Sequence, residues 1–188
     1  MSIPSFQSAI TFRLATVGDV LAIVALVNSA YRGESSRAGW TTEADILGGQ
    51  RTDAEEITQL VVRSDSAMLL CLHDVEIIGS VHVAIDECAT AYMGMLVIKP
   101  VLQGQGLGKR FMHVAERFVS EEWGASRVRI WVVTLRHELI AFYQRRGYVR
   151  TGVVKPFPAT DPKFGLPKVN DLQFEVMEKT LCIESAQN

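Results

Sequence analysis

Gln103-Gly104-Gln105-Gly106-Leu107-Gly108 is the stretch on which the interpretation of this sequence depends. Its glycines alternate after an apolar run, and apolar residues then recur at helical spacing. Glycine adopts positive φ at no steric cost and lets a backbone approach a ligand closely. A helix N-terminus adds unpaired N–H groups and the positive end of the helix dipole. The stretch therefore predicts a strand–loop–helix unit that binds an anion such as phosphate.

Two common phosphate-binding loops do not match this spacing. A Walker A loop has four residues between its glycines and then Lys-Ser/Thr, whereas Gly104 and Gly108 enclose three. The dinucleotide fingerprint requires glycine at the position of Lys109, and it opens a parallel β-α-β unit rather than an antiparallel one. From the glycines alone, a connecting turn without a ligand stays an open alternative.

The remaining chain alternates strands and helices around this unit. Capping boxes at Thr16/Asp19 and Thr52/Glu55 predict two early helices, a longer helix begins near Leu107, and a short one stops at Gly147. Apolar runs predict strands over 10–14, 67–72, 76–83, 91–98, 128–133, 148–154 and 172–177. The order β-α-α-β-β-β-α-β-α-β-β predicts an α/β fold with a mostly antiparallel central sheet flanked by helices. We expect one domain over 1–188, with its core at about 10–180.

Composition and charge exclude several classes of function. A net charge of -2, with dispersed Lys and Arg, argues against a nucleic-acid partner. The three cysteines lack the paired spacing of a zinc site, so we expect no metal. No apolar segment approaches the ~20 residues that span a bilayer, so we expect no membrane partner. Unpaired cysteines and the absence of a signal-like N-terminus predict a cytoplasmic setting, and a homodimer stays open.

Two blocks of sequence resemble the signature of the GNAT N-acetyltransferases. Met95-Leu96-Val97-Ile98-Lys99-Pro100 followed by Gln103-x-x-Gly106-x-Gly108 is similar to the family's Arg/Gln-x-x-Gly-x-Gly/Ala pattern after a strand. Phe142-Tyr143-Gln144-Arg145-Arg146-Gly147-Tyr148 is similar to its Phe-Tyr-x-x-x-Gly-Phe/Tyr segment. The resemblance extends over 10–179 and implies an enzyme that uses acetyl-CoA as a co-substrate.

The resemblance also implies which residues hold that co-substrate. Backbone amides of the glycine segment would hold the pyrophosphate, from Gln103, Gly104, Gln105, Gly106, Leu107, Gly108 and Lys109. The strand at Met95, Leu96 and Val97 would separate from 129–133 and pair with the pantetheine arm. Arg136 stands where the family commonly has asparagine, and it could reach a phosphate instead.

For catalysis, the resemblance assigns Tyr143 as the general acid that protonates the leaving thiolate. A phenol with a pKa of ~10 is protonated at neutral pH, so it can donate. Packing in the core is the alternative for this tyrosine. The general base is less defined: we expect deprotonation through water with Glu87, while Asp86, His82 and Glu43 are further candidates.

The acceptor side is expected between the first two helices and in the loop before the last strand. Aromatic and charged residues mix there, as they do in pockets that orient small polar molecules. The candidates are Tyr31, Arg37, Trp40 and Glu43, although Trp40 could also fill the core. Arg37 and Arg51 suggest an acceptor that carries a carboxylate.

We therefore expect transfer of acetyl to a primary amine of a small molecule by direct attack. A peptide or protein amine is the alternative acceptor. A non-catalytic acetyl-CoA sensor is the alternative of a different class, because no general base stands out in the sequence.

Overall fold

The computed structural model describes residues 10–32, 34–86, 88–158 and 165–181. The strands are β1 Ile10–Leu14, β2 Leu47–Gly48, β3 Ser66–His73, β4 Glu76–Ile85, β5 Thr90–Ile98, β6 Arg127–Val133, β7 Val149–Pro156, β8 Leu166–Pro167 and β9 Gln173–Thr180. The α-helices are α1 Val20–Tyr31, α2 Ala54–Val62, α3 Leu107–Trp123 and α4 His137–Gln144. The predicted order of the major elements is thus confirmed.

The central sheet has seven strands in the order β1-β3-β4-β5-β6-β9-β7. All neighbours are antiparallel except β5 and β6, which are parallel because α3 crosses over between them. The mostly antiparallel sheet expected from the sequence is therefore confirmed.

A second sheet, which we did not predict, joins β2 to β8. Each strand has two residues, too few to show a period in the sequence. Lys168 adds a bond from its Nζ to the carbonyl of Ala44, at 2.6 Å. These contacts hold the segment after α1 against the chain before β9.

Carboxylates set the starts of α1 and α2. Asp19 accepts hydrogen bonds from the backbone N–H and the hydroxyl of Thr16, at 2.8 and 2.9 Å, and a 3-10 turn over Val17–Asp19 leads into α1. The predicted cap of α2 at Thr52 is wrong by one residue. Asp53 is the N-cap, because its carboxylate, three residues before Glu56, accepts the orphan N–H of Glu56 at 2.8 Å.

Buried residues pack on both faces of the sheet. On β3, Leu69 and Cys71 belong to the cluster under α3, whereas Leu70 belongs to the cluster under α1 and α2. A strand covered on both faces is a continuous apolar run rather than an alternating one, as 67–72 is. Burial raises the pKa of the Cys71 thiol to about 11, so Cys71 packs as an apolar side chain.

None of the helices within the described residues is long and apolar enough to cross a lipid bilayer.

His82 is a buried strand histidine rather than a general base near a cavity. It lies on β4 with 7% of its surface exposed, and its Nε2 is 3.0 Å from the hydroxyl of Ser66. Burial lowers the pKa of His82 to about 4, because the charged imidazolium would lose its hydration.

This depressed pKa makes stability depend on pH. Between the unfolded pKa of ~6.5 and the folded value of about 4, only the unfolded chain binds the proton, so stability is complete above pH ~6.5 and falls as pH drops. We expect His82 to remove about 2 kcal/mol from the free energy of unfolding between pH 7 and pH 5. Urea unfolding at both pH values measures this loss.

His82→Gln is expected to abolish that part of the pH dependence, and His113→Gln, at an exposed position of α3, to preserve it. An equal pH dependence in wild type and His82→Gln would contradict the assignment.

Candidate active site

β5 and β6 begin as a parallel pair and then separate. Ladder pairs join Thr90–Arg127, Ala91–Val128 and Tyr92–Arg129. Both strands continue for several residues, to Ile98 and Val133, with no further pair between them among the described residues. The separation expected at 95–97 is thus present, and it leaves one edge of β5 open.

A bulge in β5 accompanies this separation. Met95 has a φ of 47°, which is rare for a side-chain-bearing residue. The pairing of β4 with β5 shifts between Ser80 and His82, where β5 carries an extra residue. Bulges bend a strand and redirect its side chains, so this one turns β5 away from β6.

The glycine segment lies between a 3-10 turn over Pro100–Leu102 and α3. Gly104 and Gly106 have φ of 79° and 82°, and Gly106 is the N-cap of α3. A Cβ at either position would have no atom within 4 Å. These two glycines are therefore required by the backbone conformation and not by lack of space, and their backbone is open to a ligand.

Gln103 attaches this loop to the segment after α1. Its Nε2 donates to the carbonyl of Ile98 at 3.0 Å, and its Oε1 accepts from the backbone N–H of Trp40 at 3.1 Å. The side chain of Gln103 therefore holds the glycine segment against the segment after α1.

The first cavity, of about 360 Å³, opens along the glycine segment, the end of β5 and α4. Trp40 and Phe142 contribute to its wall and pack together with ring centroids 5.4 Å apart. Because Trp40 is 44% exposed, it does not fill the core. The residues predicted for the cofactor that line this cavity are Leu96, Val97, Gln103, Gly104, Gly106, Gly108, Lys109 and Arg136. Gln105 and Leu107 are not among its lining residues.

The second cavity, of about 300 Å³, lies where β5 and β6 separate. Met95 lines it, as do Glu43 and Arg51 from the segment after α1. The two cavities share five lining residues, which are Tyr31, Leu96, Arg136, Leu139 and Tyr143. They therefore meet at these side chains and form two arms of one site.

Tyr143 lies on α4 at this junction and is 8% exposed. Its ring makes edge contacts with Phe142 and Tyr148, at centroid distances of 5.4 and 5.5 Å. Burial raises the pKa of Tyr143 above its ordinary value, so the hydroxyl is protonated at neutral pH. Tyr143 is therefore packed in the core and also lines the junction of the two cavities.

A buried ion triad closes one side of the junction. Glu43 Oε1 accepts from Arg136 Nη1 at 2.7 Å, and Glu43 Oε2 accepts from Arg32 Nη1. Arg136 also donates from Nη2 to the hydroxyl of Thr41 at 2.7 Å. The guanidinium of Arg136 is thus held by Glu43 and Thr41, and both oxygens of Glu43 are occupied, which makes Glu43 a poor general base.

The other predicted residues are distributed as follows. Arg37 is exposed, pairs with Asp45 and Glu34, and lines neither cavity. Asp86 accepts the backbone N–H groups of Cys88 and Thr90 in a turn. Glu87 lies outside the described residues.

Two cavity residues escaped the sequence analysis. Arg32 completes the ion triad, and Lys155 lies against Trp131 in the wall of the second cavity. Neither belongs to a motif, and the alternation of β7 was the sole sequence signal for the direction of Lys155.

Within the described part of the chain, no three His, Cys, Asp or Glu side chains lie together as ligands of a metal ion would.

Comparison with protein families identifies the family of this chain. The model of the acetyltransferase (GNAT) family matches residues 25–148, more than half of the chain. The chain belongs to this family. It is therefore an acetyl-CoA-dependent acyltransferase, and the resemblance noted in its sequence is confirmed.

Solved structures with this fold include other GNAT N-acetyltransferases. PaiA N-acetyltransferase from Thermoplasma acidophilum, in complex with coenzyme A, is 19% identical with a TM-score of 0.70, over 92% of this chain and 99% of that one. A spermidine N-acetyltransferase chimera from Vibrio cholerae and hSSAT is 17% identical with a TM-score of 0.66, over 91% and 95%. A ribosomal-protein-alanine N-acetyltransferase from Brucella melitensis is 17% identical with a TM-score of 0.67, over 91% and 99%.

These structural likenesses establish the fold. The proteins are named for different acceptors. No curated protein matches the sequence. The comparisons therefore do not assign an acceptor to this GNAT protein.

The ion triad yields a prediction for stability. Glu43→Gln removes the negative charge buried between Arg32 and Arg136. We therefore expect a loss of about 3 kcal/mol in the free energy of unfolding. Glu34→Gln removes an exposed partner of Arg37 and should leave the unfolding midpoint unchanged. Urea denaturation of the three proteins measures both effects, and equal midpoints for the two variants would refute the triad's structural role.

Proposed function

We propose that this GNAT protein transfers the acetyl group of acetyl-CoA to a primary amine of a small molecule by direct attack. One observation carries the proposal: two cavities, one along the glycine segment and one between the separated strands, meet at Tyr143. A donor in the first and an acceptor in the second would place the thioester and the amine at this junction.

The first cavity fits the chemistry of coenzyme A. The open backbone at Gly104 and Gly106, at the N-terminus of α3, suits the pyrophosphate. The open edge of β5 offers N–H and C=O groups to the two amides of pantetheine. Leu96 and Val97 line this cavity, and an N–H on that edge would stabilise the developing oxyanion of the thioester.

The reaction needs one bond formed and one broken. The neutral amine nitrogen attacks the thioester carbonyl, the C–N bond forms, and collapse of the tetrahedral intermediate breaks the C–S bond. The thiolate takes the phenolic proton of Tyr143, whose raised pKa keeps it protonated until then. The proton lost by the amine restores Tyr143, directly or through water.

Deprotonation of the acceptor ammonium precedes attack. The one carboxylate in the described lining of the second cavity, Glu43, is occupied by two arginines. Nearby positive charge disfavours an ammonium and lowers its pKa, so the cationic wall promotes release of the proton to water. The role proposed for Glu87 stays a prediction.

The second cavity favours a small acceptor. Side chains from the segment after α1 and from Lys155 to Pro158 surround a space of about 300 Å³, the lower end of the range for small-molecule sites. A peptide would need an open groove in place of these walls. A cytoplasmic setting and a homodimer stay expectations from the sequence.

The glycine segment is tested by Gly106→Ala. At a φ of 82°, alanine is strained by about 1–2 kcal/mol, and relaxation of the loop would displace the amides that hold the pyrophosphate. We expect the Kd for acetyl-CoA, measured calorimetrically, to rise about tenfold.

Gly124→Ala is the matched control. Gly124 caps the other end of α3 at a φ of 64° and likewise has no atom near a Cβ. It should lower stability while preserving the Kd, and equal Kd values for both variants would argue against the proposed phosphate site.

Tyr143→Phe tests the general acid. We expect kcat to fall about 100-fold, the usual range for loss of a positioned acid, with the Kd for acetyl-CoA unchanged. Tyr148→Phe is the control, because that hydroxyl donates to Glu116 at 3.0 Å and lines neither cavity. Thiol release in stopped assays measures kcat, and full activity of Tyr143→Phe would remove it from the mechanism.

The proposal as a whole is tested by thiol release with a panel of small amines. Binding of acetyl-CoA without release for any of them would favour a sensor. Release with a peptide N-terminus or a protein lysine alone would favour the alternative acceptor class.

A further inference from the structure

We infer that the amine acceptor of this enzyme carries an anionic group, most simply a carboxylate, which Arg51 and Lys155 bind in the second cavity. This inference rests on the proposed function and assigns its substrate class. It depends on the charges of the cavity wall and on what already neutralises them.

The described wall of the second cavity is strongly cationic. Its charged residues are Arg32, Arg51, Glu43, Arg136 and Lys155. The one carboxylate among them is buried between two guanidinium groups, those of Arg32 and Arg136. No unpaired carboxylate is therefore left among the described residues of the wall for a second ammonium, whereas positive charge is in excess.

Arg51 and Lys155 supply that excess. Among the described residues, neither makes an ion pair with a carboxylate. Each instead contacts an aromatic ring of the same wall: the Arg51 guanidinium carbon is 5.6 Å from the Tyr31 ring centroid, and the Lys155 nitrogen is 4.3 Å from that of Trp131. Both cations are thus positioned by packing while their N–H donors stay available.

A carboxylate would satisfy these donors better than the rings do. Exposed cation–π contacts are weak, whereas charge-assisted hydrogen bonds from a guanidinium fork to a carboxylate are short and strong. Arg51 also approaches the ring of Tyr31, which lines both cavities. An acceptor held there would have its anionic end on the wall and its amine toward the junction.

The same charges select against other amines. A polyamine would bring a second ammonium against an excess of cations, which repels it. An amine that carries no anionic group would leave Arg51 and Lys155 without a counter-charge.

The experiment compares matched ligands in two assays. Calorimetry on the protein saturated with coenzyme A measures binding of α- and ω-amino acids, their amides, an aminoalkylphosphonate and spermidine, without turnover. Thiol release with acetyl-CoA measures transfer to the same amines. We expect at least one amino acid or the phosphonate to bind and react at least tenfold better than its uncharged counterpart.

Variants locate the effect. Arg51→Gln and Lys155→Gln should each raise the KM of the acidic acceptor about tenfold, leave that of its amide unchanged, and preserve the Kd for acetyl-CoA. Arg117→Gln removes an exposed arginine of α3 that lines neither cavity, and it should change none of these values.

Each outcome is decisive. Transfer to amides or spermidine as good as to the acids, or KM values insensitive to both substitutions, would overturn the inference and leave acetyl transfer intact. Tight binding of an acid without any transfer would support the anionic site while refuting the proposed function. Preference for the phosphonate over every carboxylate would retain the site and change the identity of the oxyanion.

Discussion

The separation of β5 from β6 is the constraint on which the rest of the site depends. The two strands pair with each other only as far as Tyr92 and Arg129. Beyond these residues their facing edges are unpaired, although β4 and β9 still pair with their outer edges. Unpaired backbone groups inside a sheet are costly unless a ligand or water satisfies them. The bulge at Met95 holds the strands apart, so the binding site is built into the sheet itself.

Two kinds of interaction fix the elements on either side of the gap between β5 and β6. On one side, α3 follows its N-cap Gly106 and packs Phe111 and Ala115 into the core, which fixes the glycine segment at the mouth of the first cavity. On the other side, the Arg32–Glu43–Arg136 triad joins the end of α1 to the start of α4. A buried triad of this kind contributes little net stability but defines one arrangement of its segments, and here that arrangement places Tyr143 at the junction.

Local spacing predicted much of this structure. The strand that precedes Pro100, the glycines at 104 and 106, and the place of Tyr143 on a short helix all follow from patterns that extend over a few residues. Patterns of this length report backbone conformation and periodicity, which are local properties. The same reasoning missed the cap at Asp53 by one residue, since Thr52 satisfies the same motif.

The sequence by itself determined the family, the donor and the order of the elements, because a glycine's φ and a strand's period are properties of neighbouring residues. Only the tertiary structure decided the wall of the second cavity. Arg37 lies on the surface, whereas Arg51 lines the second cavity. Lys155, on a strand more than a hundred residues after Arg51, lines the same cavity. Glu43 forms ion pairs with two arginines, Arg32 and Arg136. Ion pairing and the sign of a cavity's charge arise between segments distant in the chain, and no local pattern records them.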